Sequence, residues 1–167
     1  MNTKLMLMVG PAGAGKSTFI QNYINNSTEV CHVVSRDKIR FNLLTDTDSY
    51  FDKENQVFAI FIETLQICLN DAGVDVVFAD ATHLTEKARN KVLNALDLTN
   101  VDVIPVVVAP EMEIALRQNE MREGLARVPR SVIRRMYHQF EEPTYNEKYK
   151  YTEIIKVGEK NVEDLAD

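Results

Sequence analysis

Short apolar runs alternate along this chain with longer stretches in which apolar residues recur every three or four positions. The runs read as strands and the stretches as amphipathic helices. Leu5-Met6-Leu7-Met8-Val9 makes a strand over residues 4–9, and a helix follows over about 16–25. Val30-Cys31-His32-Val33-Val34 is a strand ending at Ser35. A short helix over 37–44 and the polar turn Thr45-Asp46-Thr47-Asp48-Ser49 come next. A long helix then runs to about Ala72, with Val57, Ile60, Phe61, Thr64, Leu65 and Cys68 on its apolar stripe and Gly73 at its C-terminal cap. The third strand covers 75–79 and closes on Asp80. A helix over 85–96 opens on Thr85 and Glu86, which suit a helix N-terminus. Residues 101–109 form a nearly continuous apolar run, the signature of a strand buried on both faces. Helices over 111–122 and 130–140 flank a break at 124–129, and a last strand spans 153–157.

Strands alternating with helices imply a parallel sheet covered on both faces. The expectation is therefore a three-layer α/β fold with about five strands. At 167 residues the chain is expected to form one domain, residues 1–167, with no repeat, low-complexity segment or linker to divide it.

The turn after the first strand is Gly10-Pro11-Ala12-Gly13-Ala14-Gly15-Lys16-Ser17, followed by Thr18. It fits the Walker A pattern G-x-x-x-x-G-K-[ST] at every fixed position, in the strand–loop–helix context the motif requires. Such a loop turns successive backbone N–H groups toward phosphate oxygens, backed by the positive end of the helix. Lys16 reaches the β- and γ-phosphates, and the Ser17 hydroxyl is a ligand for Mg²⁺. The bound partner expected is a nucleoside triphosphate, with ATP and Mg²⁺ as cofactors. Three of the chain's six glycines lie in this loop.

Composition narrows the remaining classes. Net charge is −6, which argues against broad electrostatic binding of long nucleic acid. Basic residues are nevertheless concentrated locally: six arginines (117, 122, 127, 130, 134, 135) lie between Ala115 and His138, against Glu120 and Glu123. The two cysteines, Cys31 and Cys68, have no metal-ligand spacing and read as reduced core residues. No apolar run approaches a membrane span, and Met1 leads straight into a strand, so a cytoplasmic protein with no membrane partner is expected. Oligomeric state is not encoded in any of these features.

In parallel α/β sheets the ligand lies outside the carboxyl ends of the strands, so the residue just past each strand carries weight. Asp80, closing Val-Val-Phe-Ala, fits either a Walker B-like carboxylate for Mg²⁺ or a cap on the next loop. Asp37 and Arg40 sit one turn apart on one helix face. They suit a base on a substrate hydroxyl and a clamp on a neighbouring anion, and equally an ordinary i,i+3 ion pair. Arg117, Arg122 and Arg127 around Gly124 do not share one helix face. They suit a phosphate-closing lid over about 117–130, or a solvated basic helix end. His83 has a weak claim on the site, while His32 and His138 read as packing or surface residues.

Taken together these motifs resemble one family. The P-loop, Ser35-Arg36-Asp37-x-x-Arg40, Asp80-Ala81-Thr82-His83, and Arg117-x-Asn119-x-x-Arg122-x-Gly124 continuing into Val128-Pro129 and Val132-Ile133-Arg134-Arg135-Met136-Tyr137 resemble the phage-type 5′-hydroxyl polynucleotide kinases. The likeness extends to about Tyr137, and no D-x-D-G-T phosphatase motif occurs. The resemblance implies a kinase-type P-loop fold with an Arg-bearing lid and transfer of the ATP γ-phosphoryl to a 5′-hydroxyl. It implies Asp37 as general base, Arg40 on the acceptor's neighbouring phosphate, and Lys16 and Arg122 on the ATP phosphates. Arg117 falls beside ATP, and Ser17 and Asp80 beside the metal. The acceptor implied is a nucleic acid end or nucleoside 3′-phosphate. The competing readings are a small-molecule kinase of gluconate, adenylylsulfate or antibiotic type, and a nucleotide-binding ATPase or switch.

Overall fold

A computed structural model describes residues 1–158, so the last nine positions of the expected domain lie outside the described residues. Strand β1 (Thr3–Val9) is followed by α1 (Lys16–Asn26), β2 (Cys31–Ser35), α2 (Arg36–Leu43) and α3 (Glu54–Asn70). Then come β3 (Val76–Asp80), α4 (Glu86–Asn94), β4 (Val101–Val107), α5 (Met112–Glu120), α6 (Arg130–Gln139) and β5 (Ile155–Lys156). The five strands form one sheet in the order β2-β3-β1-β4-β5, and every neighbouring pair is parallel.

Side-chain alternation divides the core between the two faces of the sheet. Leu5 and Leu7 of β1, Val77 and Ala79 of β3 and Val103 of β4 join Phe61 and Leu65 of α3 and Val92 and Leu93 of α4. Met6 and Met8, Val76 and Phe78, and Val106 pack on the opposite side against Ile20 of α1. A third cluster ties Leu116 of α5 and Ile133 of α6 to Ala12 of the loop after β1.

Three sequence expectations are corrected. On α3 the buried row is Val57, Phe61, Leu65 and Leu69, while Ile60 is exposed and Thr64 turns its hydroxyl to the Ile60 carbonyl at 2.7 Å. Phe58 and Ile62 flank that row on the core side in place of Ile60 and Thr64. The last strand is two residues long rather than five. Val103 and Val107 accept from Thr152 and Val157 along this edge, so Pro105 between them turns its nitrogen to the same side and has no hydrogen to donate. Cys31 and Cys68 are free thiols, half-buried and packed on opposite faces of the sheet, rather than fully enclosed.

The chain after α6 is anchored by charge. Arg89 of α4 is fully buried and pairs with Glu147 at 2.6 Å, while Tyr151 donates to the same carboxylate at 2.6 Å. Arg89 also donates to the His83 carbonyl at 2.9 Å, so this segment is tied to the turn that follows β3.

Candidate active site

The P-loop leaves the central strand, and two of its glycines stand where a side chain would collide. A Cβ on Gly10 would lie 2.1 Å from the Val108 carbonyl oxygen, and one on Gly13 would lie 2.6 Å from that of Ala115. Gly10, Pro11, Ala12, Gly13 and Ala14 are buried, while Ser17 and Thr18 at the start of α1 are exposed. No side chain caps α1, whose N-cap is Gly15, so its first N–H groups are unclaimed by side chains, the setting in which helix N-termini bind anions. Lys16 folds back over the loop, its ammonium donating to the carbonyls of Gly10 at 2.9 Å and Pro11 at 2.8 Å.

Sheet register gathers the remaining groups. Ser35 of β2 lies opposite Asp80 of β3, and β3 pairs with β1, so Asp80 and the start of α2 stand beside the P-loop. The loop after β3 is joined to the P-loop directly, the Gly10 N–H donating to the Thr82 carbonyl at 2.9 Å. Burial pushes the Asp80 carboxyl above its ordinary range, opposed chiefly by the charge of Lys16. Burial lowers Lys16 to about 8, with Asp80, Arg122 and Asp37 all within electrostatic reach. Asp37, Asp80 and Arg122, from separate parts of the chain, therefore all act on the charge of Lys16.

Asp37 occupies the first turn of α2, which Ser35 caps by accepting from the Lys38 N–H at 3.3 Å. Its side chain is 56% exposed. Oδ1 of Asp37 takes two donors, Nη1 of Arg40 at 2.5 Å and the Tyr50 hydroxyl at 2.7 Å. Arg40, expected from the resemblance to meet an acceptor phosphate, is only 4% exposed. Its other terminal nitrogen grips both carboxylate oxygens of Glu54, at 2.9 and 2.8 Å, and Arg36 shares that carboxylate at 2.5 Å. Both terminal nitrogens of Arg40 are thus engaged within the protein, while its Nε is buried without a hydrogen-bond partner.

The arginines after α5 divide by environment. Asn119 is 1% exposed and exchanges two hydrogen bonds with the Val128 backbone, at 2.6 and 2.9 Å, closing the loop between them. Arg127, itself exposed, braces that loop by donating to the carbonyls of Glu120 and Arg122 at 2.5 and 3.0 Å. Arg130 is paired with Glu120. Arg117 is exposed, and no hydrogen bond or ion pair engages it among the described residues. Arg122 is the member of the group whose charge acts on Lys16 and Asp80.

His83 belongs to the core rather than the site. It is 4% exposed, its Nδ1 lies 2.6 Å from the Met8 carbonyl and its ring stands beside Phe61. Burial holds its pKa down at about 4. His32 and His138 are exposed. Tyr50 and Glu54 escape sequence reasoning because neither stands at a strand end or in a motif. The surviving trace is Glu54 as the acidic residue in the first turn of α3, a common arrangement.

Among the described residues no helix is long and apolar enough to cross a membrane. Comparison of the fold finds a chain of the Pnkp1/Rnl/Hen1 RNA repair complex with a TM-score of 0.68 and 20% identity, covering 83% of this chain and 44% of that one. A gluconokinase from Sinorhizobium meliloti 1021 aligns at a TM-score of 0.57 and 16% identity, over 94% of this chain and 83% of that one. Chaetomium thermophilum Kti12, solved with ADP-AlF3, aligns at 0.64 and 16% identity, over 96% and 92%. The chain thus spans less than half of the RNA-repair chain it resembles. These likenesses are to P-loop kinase and nucleotide-binding folds and agree with the sheet order and loop described above. Residues 5–143 match the AAA domain family, and the chain is a member of that family with a P-loop kinase fold.

Proposed function

We propose that the chain is an ATP-dependent kinase that transfers the γ-phosphoryl group to the 5′-hydroxyl of a polynucleotide end. The observation that carries this reading is the state of Asp37: one carboxylate oxygen is held by Arg40 and Tyr50, and the other has no partner among the described residues. A carboxylate so fixed, beside the P-loop lysine, suits a base for an acceptor hydroxyl. A nucleotide switch has no use for one.

The acceptor oxygen attacks the γ-phosphorus as its proton passes to Oδ2 of Asp37. The bond from that phosphorus to the bridging oxygen breaks, and ADP leaves with the electron pair. The P-loop N–H groups, Lys16 and Arg122 take up charge on the transferred group and on the leaving phosphate. Thr18 and Arg117 border the same nucleotide site. Arg40 serves by holding Asp37, its own charge being matched by Glu54.

Magnesium fits the donor set present. Ser17 supplies an exposed hydroxyl and Asp80 a half-buried carboxylate, and no cluster of three His, Cys, Asp or Glu occurs among the described residues to form an all-protein site. One or two protein oxygens completed by phosphate and water is the usual setting of this ion. When bound, it neutralises charge on the β- and γ-phosphate oxygens.

The S-R-D-x-x-R sequence at the head of α2 and the likeness to the RNA-repair chain support the polynucleotide acceptor. A sugar-type acceptor is the second reading, supported by the gluconokinase alignment over most of both chains. Labelled ATP offered with a 5′-hydroxyl oligonucleotide, a nucleoside 3′-monophosphate, the bare nucleoside and gluconate separates them. We expect the first two to be phosphorylated. Asp37→Asn should lower the rate at least about 100-fold with ATP affinity nearly unchanged. Labelling of gluconate and not of the oligonucleotide would transfer the assignment to the sugar class.

A further inference from the structure

The loop joining α2 to α3 presents an aromatic pair next to the proposed base. Tyr50 is held on several sides. Its hydroxyl donates to Asp37, the Arg40 guanidinium lies 4.3 Å from its ring centroid, and the Phe41 ring stands 6.4 Å away. Phe51 follows it, edge-to-face on the Tyr50 ring at 4.7 Å and 82°, and is 63% exposed. The loop that carries them is braced at both ends. Asp48 accepts from the Thr45 N–H at 2.8 Å, Asp52 accepts from the Ser49 N–H at 2.7 Å, and Lys53 donates to the Leu43 carbonyl at 2.6 Å.

An exposed phenylalanine on a braced loop is set in place before any ligand arrives, so a partner stacking on it loses little of the gain to loop ordering. The Tyr50 hydroxyl touches Asp37 at 2.7 Å and the Tyr50 ring meets the Phe51 ring at 4.7 Å, so a single tyrosine side chain separates Phe51 from the carboxylate. A hydroxyl presented to Asp37 on a ribose therefore brings its base into the neighbourhood of Phe51. A sugar acid presented the same way has no flat face to offer.

We propose that Phe51, positioned by Tyr50, is the stacking platform for the terminal nucleobase of the acceptor and makes the site selective for hydroxyls that carry a base. This rests on the polynucleotide-end reading and adds to it the feature by which that end is read. Base–aromatic stacking tolerates all four bases, so the selectivity is for the presence of a base rather than its identity.

The test compares two oligonucleotides that differ only at the 5′-terminal residue, one with adenosine and one with an abasic sugar keeping its 5′-hydroxyl and 3′-phosphodiester. We expect wild type to prefer the base-bearing end by about ten-fold or more in kcat/KM. Phe51→Ala should bring the ratio close to one, and Phe51→Trp should keep it. A merely structural role for Phe51 would lower both rates and leave the ratio where it was. Equal use of both ends by wild type, or an unchanged ratio in Phe51→Ala, overturns the platform while the polynucleotide reading stands. Failure to phosphorylate either oligonucleotide, with gluconate accepted, overturns both.

Discussion

Arg40 on α2 grips both carboxylate oxygens of Glu54 on α3, at 2.9 and 2.8 Å, from a position only 4% exposed. This places the arginine's charge inside the protein's own network, with Asp37 at its outer edge. Removing one partner of a buried ion pair typically costs 3–5 kcal/mol. Glu54 is partly open to water, so Arg40→Ala should cost about 3 kcal/mol in urea unfolding, in addition to its effect on transfer. Glu54→Ala should cost a similar amount, and the double variant much less than their sum. Additive losses would show that the two side chains act independently.

Lys16 is expected to govern how nucleotide binding responds to pH. Its pKa is lowered from 10.5 to about 8 by burial. Phosphate favours the charged form, so binding takes up a proton once pH exceeds about 8, and ATP affinity falls as pH rises further. For folding the sign is opposite. Between about 8 and 10.5 the unfolded chain holds more protons at this lysine, so its contribution to stability grows with pH. Calorimetry at pH 8.5 in two buffers of different ionisation heat measures the uptake, which Lys16→Met should abolish together with transfer. Binding without proton uptake at that pH would contradict this assignment.

The arginines that follow α5 should separate in kinetics. Arg122→Ala should lower kcat by about 10²–10³-fold, the range for losing one donor to transition-state charge. Arg127→Ala removes a brace on the carbonyls of Glu120 and Arg122 and should have a much smaller effect. Arg122→Lys should restore little, because the planar fork is lost. A severe Arg127→Ala beside a silent Arg122→Ala would exchange the two roles.

His83 should make the fold sensitive to mild acid. Burial holds its pKa at about 4 against an ordinary value of 6.5. The unfolded chain therefore binds more protons between those limits, so stability is complete above pH 6.5 and is lost as pH falls toward 4, by about 3 kcal/mol. Urea midpoints from pH 7.5 to 4.5 should show the fall. His83→Gln, which can still donate to the Met8 carbonyl, should flatten it. An equal slope in both proteins would assign the acid sensitivity to other groups.

Much of this protein is determined by sequence alone, for local reasons. Alternation along Leu5–Val9 and Val76–Ala79 places their side chains on both faces of a buried sheet, because a strand repeats every two residues whatever lies around it. The P-loop follows in the same way. Gly10 and Gly13 are required by the close approach of backbone carbonyls, and Lys16 follows on the helix they introduce. The pairing of Asp37 with Arg40 is also local, one helical turn apart. Tertiary structure decided the rest. The reach of Glu54 to Arg40 and of Tyr50 to Asp37 depends on how the chain turns between α2 and α3, which no period encodes. Which arginine acts on Lys16 depends on the Asn119–Val128 closure, beside which Arg127 is engaged by the Glu120 and Arg122 carbonyls. The short β5 was settled by Pro105, whose missing N–H matters only because β5 pairs on that side of β4. Spacing along the chain determines which side chains share a face. What stands opposite that face is determined by contacts between residues distant in sequence.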